Sequence, residues 1–330
     1  MVSEDTIILL AVDREYTHMG AVTKALEDFF QTKSSLDLSD RFNMVLFLEN
    51  GPAYLEDFTF QWDRLINLLK QNQDTIGKPN LEGGLFLALT FILDIYKIVS
   101  GKYFRILVIK DGSVPEMTKD FLVTGLVEKI HPMPVFLDVI VLGMYDDPDK
   151  EKLENMIDAS KGGDLIYATT FKEFQDALNH DATNKKEIKV GLWEDKPDYH
   201  MAHEHKPFFE DLASDLEPIT KYELNMKCTV CFQPTSPVCG TDALVKCPSC
   251  NTTFHDCCLI SWADQSNIGI DHVFRCPICF YLIKLPEFML DTKVDDFSFE
   301  SFLEEINQDD LLKEKDAKRE LNLILKELEF

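Results

Sequence analysis

The stretch TIILLAV at 6–12, closed at once by Asp13, decides how the first half of the chain reads. After Thr6 it contains no polar side chain. A strand with one wet face alternates apolar and polar residues, whereas an unbroken apolar run of this length suits a strand covered on both faces. The pattern recurs downstream. FNMVLFL at 42–48 runs into the turn signal Glu49-Asn50-Gly51, and FRILVI at 104–109 stops just before Asp111-Gly112. VFLDVIV at 135–141 and DLIYA at 164–168 complete the set. Between these runs, apolar residues fall at helical spacing over 18–32, 60–70, 81–99, 115–131, 149–160 and 170–180. This alternation predicts an α/β fold with a mostly parallel, doubly wound sheet and helices on both faces. Sites in such sheets collect at the carboxyl ends of the strands, which here present Asp13 and Asp111.

Composition narrows the function. The chain has 330 residues, 45% of them hydrophobic, and a formal net charge of −25. Its apolar content supports a sizeable core, and its charge repels a phosphate backbone, so no direct nucleic-acid partner is expected. No apolar run reaches the ~18 residues that a membrane span needs. The best candidate, at 85–96, contains Asp94. The N-terminus lacks the basic region of a secretory signal and reads as a buried strand, so a cytoplasmic or nuclear location is expected. Residues 183–223 carry Lys185, Lys186, Lys189, Pro197, Pro207 and Pro218 with little periodicity, and read as a linker. The organisation expected is therefore an α/β domain at 1–182, the linker, a cysteine-rich module at 224–285, and an acidic, partly helical tail at 286–330.

All nine cysteines lie between Cys228 and Cys279. The ladder is Cys228-x2-Cys231-x15-Cys247-x2-Cys250-x4-His255-x2-Cys258-x17-Cys276-x2-Cys279. Two intervening residues let one tight turn aim both side chains of a pair at a single tetrahedral ion. Four such pairs predict two closed zinc sites with no open position for chemistry. A module this small buries little core, so metal should supply much of its folding free energy. Cys239 and Cys257 are left over. Cys239 is an alternative to Cys247 as a ligand, and Cys257, beside Cys258, reads as structural rather than as a thioester nucleophile.

FHDCCLISW at 254–262 followed by CPIC at 276–279 resembles a RING finger, in the variant with His in fifth place found in listerin and the Fanconi-pathway ubiquitin ligase. The resemblance implies interleaved sites, with Cys228, Cys231, His255 and Cys258 on one zinc and Cys247, Cys250, Cys276 and Cys279 on the other. It also implies a docking face for a ubiquitin-conjugating enzyme, formed by Val230, Trp262 and Pro277. An exposed Trp with aliphatic and Pro neighbours makes physical sense as a binding hot spot. Ligases of this class often carry a base directly after the last cysteine; here that residue is Phe280, and Lys284 is the nearest base. PHD fingers, which read histone tails, share the ligand order, and Phe274 occupies their aromatic position. Trp262 and CPIC favour the RING.

Residues 1–182 resemble a von Willebrand factor A domain, on the strand ending in Asp13, the helix after GKPNLEGG at 77–84, and ILVIKDG at 106–112. The resemblance implies a domain that recruits proteins and, in metal-binding members, a Mg²⁺ site. Its candidate ligands here are Asp13, Thr17 and Asp111. Glu15 replaces a Ser and no Thr stands near Asn80, so Mg²⁺ is not expected there. The N-terminal segment also resembles the proteasome's von Willebrand A ubiquitin receptor, and the domain order resembles a core subunit of TFIIH. The leading expectation is a RING-type ubiquitin ligase or ligase subunit, with no catalytic residue of its own and a von Willebrand A domain that recruits substrate. The alternative is a non-catalytic, zinc-binding scaffold of a TFIIH-like complex.

Other features carry less. His200, His203 and His205 lie in a polar stretch without an HExxH helix and read as solvated. Gly77, Gly83 and Gly84 do not fit a phosphate loop. Phe297, Phe299, Phe302 and Leu303 interleave with acids in the tail, as either a partner-docking segment or a packed helix.

Overall fold

A computed structural model describes residues 3–99, 102–144, 146–185, 203–219 and 226–286. The chain forms two compact units, Met1–Phe208 and Phe209–Phe330.

In the first unit, strands β1 (Glu4–Ala11), β2 (Arg41–Leu48), β3 (Gly51–Ala53), β4 (Tyr103–Lys110), β5 (Val135–Leu142) and β6 (Leu165–Ala168) form one sheet in the order β3-β2-β1-β4-β5-β6. All pairings are parallel except β2 with β3. Helices α1 (Met19–Leu36), α2 (Trp62–Asn72), α3 (Leu81–Tyr96), α4 (Asp120–Lys129), α5 (Lys150–Ala159) and α6 (Phe171–Thr183) cover it. Helix α1 packs beside α2 and α6 on one side, and α4 packs between α3 and α5 on the other. Every residue of β1 is buried, as an apolar run covered from both sides requires.

One core gathers Ile8 and Leu10 of β1, Met44 and Leu46 of β2, Leu107 and Ile109 of β4, and the apolar faces of α1, α2 and α6. Phe30 of α1 meets Phe42 edge-on at 5.0 Å and stacks on Trp62 at 6.1 Å. Edge strand β3 has no counterpart in the sequence reading. Gly51-Pro52-Ala53 offers no apolar run; it pairs with β2 after the turn at Glu49-Asn50, and of its side chains Ala53 packs against the core.

The strand order reverses between β1 and β4, and that crevice is where Asp13 and Asp111 emerge. The opposite end holds a buried ionic cluster. Arg105 is fully buried and donates to Glu4 at 2.9 Å and to Asp138 at 2.9 Å, with Asp181 of α6 at 3.6 Å. Lys33 donates to the same Glu4 at 2.6 Å.

The second unit opens within α7 (Lys206–Leu212), followed by β7 (Ser214–Asp215), β8 (Glu217–Pro218), β9 (Val245–Lys246), β10 (Thr253–Phe254), α8 (Asp256–Ser266), β11 (Asn267–Ile270), β12 (Val273–Arg275) and β13 (Leu282–Lys284). Two small sheets run β10-β9-β8 and β11-β12-β13-β7. Residues 214–218, read in the sequence as linker, therefore supply a strand to each sheet. Their two-residue strands are too short to leave a period in the sequence. The acidic tail and its phenylalanines lie outside the described residues, as does His200.

Candidate metal centre

Three of the four ligand pairs sit on one repeated turn. After Cys231, Cys250 and Cys279 come Phe232, Asn251 and Phe280, at φ of 58°, 58° and 61°. Each donates its backbone N–H back to the first cysteine of its pair, to Cys228 at 2.8 Å, Cys247 at 2.9 Å and Cys276 at 3.0 Å. The first cysteine in turn donates to the residue five further on: Gln233, Thr252 and Tyr281. The left-handed residue reverses the chain at once, which points both thiols of the pair the same way. Asn is at ease in that conformation and Phe is not. The remaining pair, third along the chain, uses a helix start instead. His255 is the extended N-cap residue of α8, and Cys258 lies in its first turn.

These turns bring the eight side chains into two groups: Cys228, Cys231, His255 and Cys258, and Cys247, Cys250, Cys276 and Cys279. Within each group the donor atoms all lie within 4.8 Å of one another. A tetrahedral site with metal–sulfur bonds of about 2.3 Å has sulfur–sulfur edges of about 3.8 Å. Cys247 and Cys279 are 3.7 Å apart at sulfur, and Cys250 and Cys276 are 3.9 Å apart. His255 directs Nδ1 inward, 3.4 Å from the Cys231 sulfur and 3.9 Å from that of Cys258. Its other nitrogen, Nε2, lies 3.3 Å from the Pro234 carbonyl. Protonation of Nε2 against that carbonyl leaves the Nδ1 lone pair facing the thiols, the usual outer support of a ligating imidazole.

The thiols crowd each other electrostatically. Hydrogen bonds from Cys258 and Cys276 pull Cys228 down to about 4 and Cys247 down to about 5, while Cys258 and Cys276 themselves are pushed up. One thiolate per group forms readily and the next is opposed. A dication is what lets the whole set ionise together. Both groups can hold a metal ion, and their donor sets and spacings are compatible with zinc.

Cys239, the alternative to Cys247 as a ligand, does not approach either group as a donor. It forms a disulfide with Cys257, with the Cα atoms 6.5 Å apart. The other seven cysteines are free thiols, and all seven belong to the two groups.

Trp262 lies one turn beyond Cys258. Its indole N–H donates to the Arg275 carbonyl at 2.8 Å, and Arg275 donates to the Phe280 carbonyl at 3.0 Å. Trp262 and Val230 pack, half-buried, on the same core of Phe254, Leu259 and Phe274. Pro277, also half-buried, stands two residues past the carbonyl that holds the indole. Beside it, Ile278 is 50% exposed and Phe280 49%. Ile278 was not singled out in the sequence, although it stands inside the CPIC turn between Cys276 and Cys279, whose thiols turn in toward the shared site.

At the carboxyl edge of the large sheet, Asp111 is saturated by the protein itself. One of its oxygens accepts from the Thr17 hydroxyl at 2.6 Å and the Asp13 amide at 3.0 Å; the other accepts from the Ser113 amide and hydroxyl. Asp13 accepts from the Glu15 amide at 2.9 Å. Asp13, Thr17 and Asp111 are thus brought together, but as a hydrogen-bonded knot. Next to it Lys110 is buried, with its ammonium 2.7 Å from Asp147 and 3.6 Å from Asp149. Among the described residues, the only groups of three or more His, Cys, Asp or Glu able to hold an ion are the two cysteine clusters. A pocket of about 590 Å³ opens beside Asp111, lined in part by Tyr16, Thr17, Leu142, Met144 and Phe171.

No family model matches the chain, and no curated protein matches it by sequence. Among solved structures, the chain is similar to the VWA domain of SpRpn10, at 14% identity over 58% of this chain and 100% of that one, with a TM-score of 0.43. It is similar to the TFIIH p34 N-terminal domain at 14% identity, over 55% of this chain and 98% of that one, with a TM-score of 0.41. A von Willebrand factor type A protein from Catenulispora acidiphila aligns at 15% identity over 55% of this chain and 42% of its own, with a TM-score of 0.40. At these scores the α/β fold of the first unit stands on its own strand order and register.

Proposed function

We propose that the second unit is a two-zinc RING-type module that docks a ubiquitin-conjugating enzyme, and that the first unit recruits a substrate or complex partner to it. The observation that carries this reading is the interleaving of the clusters, the first pair with the third and the second with the fourth. That pattern cross-braces a short segment and holds Trp262 half-exposed, with its only polar atom turned inward. A partner then meets an apolar, preorganised surface, the kind that concentrates binding energy. Zinc suits the donor sets, because thiolate and imidazole ligands at tetrahedral spacing favour it and it brings no redox chemistry. Its part is structural. The resemblance to RING ligases implies catalysis by positioning: the conjugating enzyme's thioester is oriented for attack by a substrate lysine, and the chain forms no covalent intermediate. The cytoplasm and nucleus suit it, since thiolates stay reduced there.

The test is reconstituted ubiquitin transfer with the full chain and a panel of conjugating enzymes. Chain formation is expected with at least one of them, and Trp262→Ala should reduce it by roughly tenfold or more while both metal ions remain bound. Absence of binding and of transfer with every enzyme would remove the reading.

Phe280 favours a second reading. An apolar, half-exposed side chain stands where ligases often place a base, and together with Ile278 it suits a permanent interface. The protein would then be a scaffold subunit. Native purification that returns a stoichiometric assembly free of ubiquitin enzymes, unaffected by Trp262→Ala, would establish it.

A further inference from the structure

We propose that Cys239 and Cys257 are a redox-modification site, a reversible disulfide latch between the loop after the first ligand pair and the first turn of α8. Of nine cysteines, seven belong to the metal groups, and these two are the ones left for each other. The loop is preformed around Ser236. Its side chain is buried; its hydroxyl accepts from the Val238 amide at 3.1 Å and the Cys239 amide at 3.4 Å, and lies 3.0 Å from the Cys257 sulfur. A second closure is made by the Ser236 and Gly240 amides, which donate to the Thr241 and Ser236 carbonyls. The same serine thus shapes the turn that presents Cys239 and touches the sulfur that receives it.

Access is one-sided. Cys239 is exposed and Cys257 is 5% exposed, so a soluble oxidant or reductant reaches the pair through Cys239. Hydrogen peroxide oxidises the Cys239 thiol to a sulfenic acid and releases one water. The Cys257 thiol then displaces the hydroxyl, forming the S–S bond and a second water. Two thiols lose two electrons and two protons, and one peroxide takes them up. Two equivalents of a thiol such as glutathione reverse the step and leave as its disulfide. The other seven sulfurs are withheld from this chemistry when they are bound to metal. In reducing compartments, disulfides are characteristically transient and redox-sensing rather than structural.

The latch regulates the metal centre. Cys257 lies between His255 and Cys258, both in the first group, and Cys239 lies on the loop leaving Cys231 of that group. Closing the bond ties the two ligand-bearing segments of that group together independently of the ion. This step rests on the metal reading of the clusters; the pairing of the two cysteines does not.

The test uses the full, metal-loaded chain, reduced with dithiothreitol or treated with limiting peroxide. Free thiols are then alkylated under denaturing conditions and mapped by peptide mass. The expected result is nine alkylated cysteines in the reduced sample. After peroxide, a cross-linked Cys239–Cys257 peptide pair should appear with seven alkylated cysteines. Transfer of metal to a chromogenic chelator should be roughly threefold or more slower from the oxidised chain. Cys239→Ser should transfer at the reduced rate under both treatments. Nine alkylated cysteines after peroxide, a disulfide that includes any of the seven ligands, or equal transfer rates would overturn the proposal. A reduced chain that binds no metal would overturn the zinc reading and its regulation, and the thiol map would still decide the latch itself.

Discussion

Trp262 has a single polar atom, and the fold turns it inward, to the Arg275 carbonyl 2.8 Å away. What faces outward is therefore ring, and the orientation of that ring is set before any partner arrives. Truncation to Ala removes the outward face together with a hydrogen bond that anchors α8 to β12, so a stability loss of about 1–3 kcal/mol should accompany the loss of docking. Denaturant unfolding of the metal-loaded chain separates the two effects. Asp181 is the opposite case, a charge the fold resists. Burial, then the nearby Asp138, pushes its carboxyl up to about 6, against relief from Arg105 and His180. Neither of its oxygens makes a hydrogen bond within normal limits, and the His180 ring nitrogen is 3.5 Å away. The unfolded chain releases this proton near pH 4, as an ordinary Asp does, and the folded chain only near pH 6. The folded state binds the extra proton in between, so the group's contribution to stability is greatest below about pH 4 and declines as pH rises through 6. Asp181→Asn should abolish that decline and raise stability at pH 7 by about 1–2 kcal/mol, read from urea midpoints across the range.

Among the elements, the repeated ligand turn is open to direct test, because it occurs once with Asn and twice with Phe at the same left-handed position. Phe280→Asn should stabilise the metal-loaded unit by about 0.5–1 kcal/mol, measured by thermal or denaturant unfolding. It should also weaken whatever partner uses the exposed ring. The cysteine spacing was legible in the sequence because a two-residue separation is a local constraint. The left-handed residue behind each pair was legible at most at Asn251, since nothing in the identity of Phe232 or Phe280 announces a positive φ. Strands β1, β2, β4, β5 and β6 were legible because double-sided burial leaves an unbroken apolar run. Strand β3 and the pieces at 214–218 were not, because strands of two or three residues are too short to leave an apolar run or a period. The ionic cluster was hidden for another reason. Glu4, Lys33, Arg105 and Asp138 are charges that any sequence reading places in water, and their partners lie 29 to 101 residues away. The knot at Asp111 was half visible: the residues were found, but the donors from Thr17, Ser113 and the Asp13 amide, which already saturate its carboxylate, were not.

For the molecule as a whole, the two compact units draw their stability from different sources. The first has a core of Phe29, Phe30, Phe42 and the strand aliphatics, independent of any ligand. The second has a small core in which six of the cysteines are themselves buried members. A strong chelator should therefore unfold the second unit alone, with loss of its Trp262 fluorescence signature, while the far-ultraviolet signal of the large sheet and its helices persists to a separate, higher transition. The crossed wiring of the ligand pairs also changes what a protease can achieve. A cut in the loop between Cys231 and Cys247 leaves Cys228 and Cys231 on one piece and His255 and Cys258 on the other, both gripping the same ion. A cut between Cys258 and Cys276 leaves the second ion as the rivet. Nicked protein should accordingly travel as a single species on a sizing column and show its broken backbone only on a denaturing gel; chelation alone should release the pieces after a cut between Cys258 and Cys276, whereas a cut between Cys239 and Cys247 should need disulfide reduction as well.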